Sequence, residues 1–268
     1  RKVKYELGDF ENHCHLWNII PGGSGLGIVK LRKIVDAIQA ENIENPFNKL
    51  PSFLIVGEQD TGKKLVCRAL VNSLALEDIR ECSGRYFENG ISSKMFFENS
   101  LFKTAHIISN VENLRVAPES ALWRYLKQGF CKYYSYSSKE FDSVQYCNGT
   151  IILTSSNKAK ISNSILRAVD HTIELEAYTQ EQQKLIVHQI LTAFCRINYV
   201  GGEVLLQEIV GQGFGRIGFV LDFLKTCIVV MKAELMDYLD LEVVEKAKQL
   251  ENNSAIDDPP EPNDDLPF

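Results

Sequence analysis

Gly57, Gly62 and Lys63 stand in the run Gly57-Glu58-Gln59-Asp60-Thr61-Gly62-Lys63-Lys64, which matches the pattern G-x-x-x-x-G-K. Residues of these types at this spacing can hold phosphate. The glycines let the backbone curl until its N–H groups face phosphate oxygens. A following helix adds the positive end of its dipole, and the Lys63 ammonium meets the β and γ phosphates. Gly57, Thr61, Gly62, Lys63 and Lys64 are the expected ligand-binding residues of the loop, with ATP or ADP as the ligand. The pattern ordinarily closes on Ser or Thr, whose hydroxyl holds Mg²⁺. Lys64 fills that place and cannot ligate a cation, which puts Mg²⁺ in doubt.

Such a loop needs a strand before it and a helix after it. Phe53–Val56 reads as a short buried strand, and Leu65, Ala69, Leu70 and Leu74 mark one face of a helix. Ala105–Ser109 and Thr150–Thr154 are two more apolar strands. Between them Glu119–Lys127 reads as a helix and Lys132–Phe141 as an aromatic, Ser-rich excursion. Strands separated by helices predict an α/β fold with a mostly parallel, three-layered sheet. Upstream, Pro21–Gly27 is rich in glycine. No strand precedes it and no acidic residue follows at dinucleotide-site spacing, so it reads as a flexible entry to a helix marked by Ile28, Leu31, Ile34, Val35 and Ile38.

The pattern changes at Thr179. Thr179-x-x-Gln182 resembles a capping box, and Leu185, Ile186, Gln189 and Ile190 continue a helix. Phe219, Leu221, Leu224 and Ile228 line another. No strand is expected after Leu175. The division is an α/β domain over 1–179, an all-α lid over 180–250 and a disordered tail over 251–268.

The chain has 268 residues, 29 bases and 35 acids, for a net charge of -6. Residues 251–268 hold six of the acids and no base, so the remaining 29 acids balance the 29 bases. A neutral body carries no broad electrostatic footprint for nucleic acid, although a local patch for DNA is compatible with it. Asp222 and Lys225 interrupt the apolar run Gly218–Met231, so no membrane span is expected. The first residues, Arg1-Lys2-Val3-Lys4-Tyr5-Glu6, lack the apolar core of a signal peptide, and a start at Arg1 leaves room for residues before it. Seven cysteines without a C-x-x-C pair read as reduced core thiols, which places the protein in the cytoplasm. His13-Cys14-His15 has no second ligand pair at metal-binding spacing.

From about Leu16 to Leu250 the chain resembles AAA+ ATPases, most closely the RuvB-type motor of Holliday-junction branch migration. The family's C-terminal winged helix has no counterpart in these residues. The resemblance rests on the phosphate loop Gly57–Lys64, the strand His106–Leu114, the strand Ile151–Asn157 and the lid signature Gly213-Phe214-Gly215-Arg216-Ile217. It implies that Ser109-Asn110 replaces the family's Asp-Glu pair and that Ser155 or Ser156 is the polar tip of sensor 1. Arg216 would be sensor 2, reaching a γ-phosphate. Leu166–Asp170 through Leu175–Thr179 is similar to the arginine-finger stretch and its exit strand, with Ala168 at the finger position and Arg167 one residue off. Glu112 lies two residues beyond the pair and is expected to point elsewhere. With the Mg²⁺ hydroxyl, the acidic pair and the finger missing or displaced, nucleotide binding with slow or absent hydrolysis is implied.

The last five residues, Asp264-Asp265-Leu266-Pro267-Phe268, resemble the acidic tip of bacterial single-stranded-DNA-binding proteins. A terminal Phe can fill an apolar pocket while its carboxylate and the preceding acids meet a basic rim. The implied partners are DNA-metabolism proteins that recognise such tips, together with other AAA+ subunits or further copies of this chain. The implied setting is bacterial DNA replication, recombination or repair. The alternatives are an active DNA motor or a clamp-loader-like structural subunit.

Overall fold

The computed structural model describes residues 14–44, 50–87, 90–98, 103–134 and 141–254. They divide into two units at Gln182/Gln183. The first contains strands β1 (Phe53–Val56), β2 (Asp78–Ser83), β3 (Thr104–Ser109), β4 (Phe130–Tyr134), β5 (Phe141–Tyr146), β6 (Thr150–Ser155) and β7 (His171–Glu174). Its helices are α1 (Leu26–Glu44), α2 (Lys63–Ser73), α3 (Gly90–Phe97), α4 (Val116–Gln128) and α5 (Asn163–Ala168).

Five strands form one parallel sheet in the order β2-β3-β6-β1-β7. The first strand in the chain lies inside the sheet, between β6 and β7. All four residues of β1 and all six of β6 are buried. A central parallel strand is covered on both faces, which is why Phe53-Leu54-Ile55-Val56 and Ile151-Ile152-Leu153 read as unbroken apolar runs rather than alternating ones. Strand β2 was not expected. It is the sheet edge, only partly buried, and its sequence Asp78-Ile79-Arg80-Glu81-Cys82-Ser83 carries three charges that hide the strand signal. One core joins Leu54, Ile108, Leu122, Tyr125, Leu153 and Ile165, so that α4 and α5 pack on the sheet. The Lys132–Phe141 excursion is instead flanked by an antiparallel pair, β4 with β5; its residues 135–140 lie outside the described ones.

Within β3, His106 is completely buried. Its ring lies 4.9 Å from that of Phe97 and 5.3 Å from that of Phe96. Burial lowers its pKa to about 4, with the Arg80 guanidinium lowering it further and Asp78 opposing.

Helix α6 (Gln180–Gln189) crosses the division and starts as expected: Thr179 N–H donates to Gln182 Oε1 (2.9 Å) and Gln182 N–H to Thr179 Oγ1 (3.3 Å). A π-helical stretch, Ile190–Cys195, continues it. Helices α7 (Gly202–Gly211), α8 (Ile217–Ala233) and α9 (Leu241–Ser254) follow. Val243, Val244 and Ala247 are buried, and Lys248 of α9 pairs with Glu208 of α7 at 2.9 Å. This unit is helical, as expected, with one correction. Two-residue strands β8 (Asn198–Tyr199) and β9 (Tyr238–Leu239) pair in parallel. A ladder that short leaves no period in the sequence. Helix α9 carries four residues into the segment 251–268, and residues 255–268 lie outside the described ones. Among the described residues no helix is long and apolar enough to cross a membrane.

Candidate phosphate-binding site

The loop Gly57–Gly62 leaves the end of β1 and turns straight into α2, which begins at Lys63. Two residues make the turn possible. Gly62 has φ 79°, a conformation that suits glycine, and Asp60 adopts φ 63° at some cost in strain. Gly57 is needed for a different reason. A Cβ there would lie 2.5 Å from Thr61 Oγ1 and 3.0 Å from the Leu175 carbonyl. The Gly57 N–H donates to the Ser155 carbonyl (3.2 Å), which ties the loop to the end of β6. Thr61 is buried, and its hydroxyl donates to the Glu58 carbonyl at 2.9 Å.

The Lys63 ammonium folds back over the loop and donates to the carbonyls of Gly57 (2.7 Å) and Glu58 (2.5 Å). Burial pulls its pKa down, and the negative charges of Glu112, Asp60 and Glu58 oppose that pull. Beside it opens a cavity of about 530 Å³ lined by Lys63, Lys64, Cys67, Ser109, Asn110 and Thr154, with Glu81 and Cys82 among the remaining walls. The structure therefore brings Ser109 and Asn110 next to the phosphate loop. Asn110 turns the chain there with φ 54°. The Ser109 hydroxyl donates to the Cys82 carbonyl at 3.4 Å.

Glu112, expected to point away from the site, is not among the residues that line this cavity. Two residues past β3 the chain forms a 3-10 turn, Val111–Asn113, which returns the carboxylate toward the end of β6. Glu112 Oε1 accepts from the Ser156 N–H (3.1 Å) and hydroxyl (2.6 Å). Burial pushes the carboxyl up, but hydrogen bonds from Ser156, its own backbone N–H and Ser155 outweigh it and hold the pKa below the ordinary value. Ser155 itself is buried; its hydroxyl donates to the Asn157 carbonyl and accepts from the Asn157 N–H, both at 3.1 Å.

The Pro21–Gly27 loop is also more than an entry to α1. A Cβ at Gly22 would lie 2.4 Å from the Glu176 carbonyl, and one at Gly27 would lie 2.0 Å from the Glu174 carbonyl. The loop thus lies flat against the segment leaving β7. The Glu176 carboxylate accepts from the Ser24 N–H (2.5 Å) and hydroxyl (2.6 Å), and Gly23 exchanges two hydrogen bonds with the Gln182 amide. The Ser24 bonds hold the Glu176 pKa below its ordinary value. Gly22, Gly25, Gly27, Thr61 and Tyr178 line a small pocket of about 10 Å³, room for roughly one water. The sequence signal was present as close-packing glycines, but the partner segment is some 150 residues away, as the Ser24–Glu176 separation of 152 positions records.

Arg216 immediately precedes α8, and its guanidinium lies 5.4 Å from the centre of the Phe219 ring. A Cβ at Gly213 would lie 2.2 Å from Val220, so the glycine lead-in serves close packing in this turn. Arg167 is exposed on α5, and Ala168 beside it is buried. Asp264, Asp265, Leu266, Pro267 and Phe268 lie outside the described residues.

The five-stranded parallel sheet has its first strand between the fourth and fifth, with the G-x-x-x-x-G-K loop at the end of that strand, and this fold is shared with solved structures of RuvB. No family model matches the chain, and no curated protein matches it in sequence. Among solved structures, a point mutant of Thermotoga maritima RuvB superposes with TM-score 0.71 at 15% identity, covering 89% of this chain and 73% of that one. The structure titled as the Thermotoga maritima RuvB Holliday junction branch migration motor gives TM-score 0.66 at 14% identity, over 92% and 72%.

Proposed function

We propose that the protein is a nucleotide-binding AAA+ protein of DNA recombination, replication or repair that holds ATP or ADP and hydrolyses it slowly or not at all. The observation that supports this is that Lys63, at the end of the Gly57–Lys63 loop, lines one cavity with Lys64, Ser109 and Asn110, an altered hydrolysis side. Gly57, Thr61, Gly62 and Lys63 supply the cradle, whereas Lys64, Ser109 and Asn110 stand where an Mg²⁺ hydroxyl and two acids would act. Ser155 is a proposed polar contact to the outer phosphates, and Arg216 keeps the sensor role that the family resemblance implies. The DNA setting comes from the likeness to RuvB, as do self-assembly or assembly with other AAA+ subunits and any direct contact with DNA. The acidic tip Asp264–Phe268 would recruit proteins that read single-strand-binding-protein tails.

Thermal unfolding with ATP or ADP tests the nucleotide reading. At a hundred times its dissociation constant the ligand stabilises the fold by about 2.7 kcal/mol. The gain should appear in the wild type and vanish in Lys63→Ala. An unchanged melting temperature in both would end the reading.

One observation favours a second reading, an active motor. The Glu112 carboxylate accepts from Ser156, which holds its pKa below the ordinary value, and its negative charge opposes the lowering of the Lys63 pKa. In this reading Glu112 is the water-activating base in place of Asn110. Turnover near about 1 s⁻¹, the low end of ordinary enzyme rates, lost in both Lys63→Ala and Glu112→Gln, would select this reading.

A further inference from the structure

The AAA+ fold implies Mg²⁺ beside the nucleotide, and the donor set of this chain does not fit it. A hard cation with octahedral demands takes oxygen ligands, usually a loop hydroxyl, a carboxylate and the phosphates themselves. Lys64 presents an ammonium in the hydroxyl position. The Ser109 hydroxyl is turned to the Cys82 carbonyl, and Asn110 has no charge. Thr61 Oγ1 is turned to the Glu58 carbonyl. Of the nearby carboxylates, Glu81 pairs with Arg68 at 2.8 Å, and Glu112 gives Oε1 to Ser156 and leaves Oε2 without a hydrogen-bond partner, by itself too few for an octahedral cation. Among the described residues no group of three His, Cys, Asp or Glu side chains could hold a metal ion.

The same wall of the cavity that lacks metal ligands carries two adjacent cations. Lys63 and Lys64 both line it, at the first two positions of α2, where the helix dipole adds to their field. The rest of the wall holds the uncharged Cys67, Ile107 and Thr154 and one carboxylate, Glu81, which is paired with Arg68. Burial pushes the Cys67 thiol up to about 12, so it adds no negative charge. We infer that Lys64 is a built-in replacement for the divalent cation, and that this site binds the metal-free nucleoside triphosphate or diphosphate. An ammonium on a flexible stem can neutralise phosphate charge and donate up to three hydrogen bonds without any coordination geometry. It cannot act as a Lewis acid on a bound water, so the substitution keeps binding and gives up metal-assisted transfer. Mg²⁺ already on the nucleotide removes charge that Lys63 and Lys64 would otherwise meet.

This inference rests on the nucleotide-binding reading above, and calorimetric titration of the full chain with ATP separates the two. The titration is run with excess magnesium and again with EDTA, on the wild type and on Lys64→Thr. The wild type should bind at least as tightly in EDTA, and Lys64→Thr should bind about tenfold more weakly there, because a charge-assisted contact is lost. Recovery of the Lys64→Thr affinity by magnesium would add support, since the new hydroxyl restores a ligand. A wild-type affinity that falls more than about twofold on metal removal overturns the inference and leaves nucleotide binding standing. Equal affinity of wild type and Lys64→Thr in EDTA overturns it as well. An absence of heat and of competition with a fluorescent ATP analogue under both conditions overturns both.

Discussion

His106 should make the larger unit lose stability in mild acid. Its ring is fully buried in β3 against Phe96 and Phe97, and its pKa is lowered to about 4 from an ordinary 6.5. Below pH 6.5 the unfolded chain takes up a proton that the folded chain refuses, so stability falls from pH 6.5 down to about pH 4 and then levels. A full shift of this size corresponds to about 3 kcal/mol, and between about pH 7.5 and about pH 5 the loss from this one group is about 2 kcal/mol. Carboxylates also titrate at the lower end, so the comparison must be with a variant that lacks the imidazole. His106→Phe keeps an aromatic ring among aromatic neighbours and removes the titration. Urea unfolding followed by tryptophan fluorescence reports the right unit, because both tryptophans, Trp17 and Trp123, belong to it. The wild type should lose about 2 kcal/mol more than His106→Phe between the two pH values. Parallel losses would refute the argument and mean that the ring escapes to water or gains a compensating anion.

Gly57→Ala should lower stability by about 1–3 kcal/mol and abolish the thermal shift with ATP, since its Cβ meets Thr61 Oγ1 at 2.5 Å; calorimetry of the variant checks both. Lys64→Thr, Ser109→Asp and Asn110→Glu together should create Mg²⁺-dependent phosphate release only if a neighbouring subunit supplies an arginine, because Ala168 stands at the finger position and a missing finger costs about 10³–10⁵ in rate. A peptide covering Asn263–Phe268 should bind enzymes that recognise single-strand-binding tips, more weakly as salt rises; removing Phe268 should abolish binding, while Asp264→Ala should cost at most about 1 kcal/mol. Retention of every co-purifying partner without Phe268 would leave the tail as a solubilising segment.

The sheet was legible where its strands are buried on both faces. Phe53–Val56, Thr104–Ser109 and Thr150–Ser155 lie within one residue of where their apolar runs place them. The capping pair Thr179 and Gln182 was legible because both partners sit within four residues of each other. Legibility failed where a signal needs a distant partner or a backbone turn. Strand β2 shows its charges and hides its pairing with β3. Glu112 could be found in the sequence but not aimed, because the 3-10 turn after β3 decides where it points. The glycines of Pro21–Gly27 suggested freedom, whereas they permit close contact with residues 174–176.

The interior position of β1 has a consequence for how the chain is made. Phe53 faces Ile152 on one side and His171 on the other, so neither neighbour exists until roughly 100 further residues have been added. At about 5–20 residues per second this is a wait of about 5–20 seconds. During that time Phe53-Leu54-Ile55-Val56 is an apolar strand with both edges open, attractive to any other unpaired edge. A chain cut before Thr150 never ends that wait, and it should be recovered as aggregate or in the hands of a chaperone. In the complete sheet the same four residues are all buried.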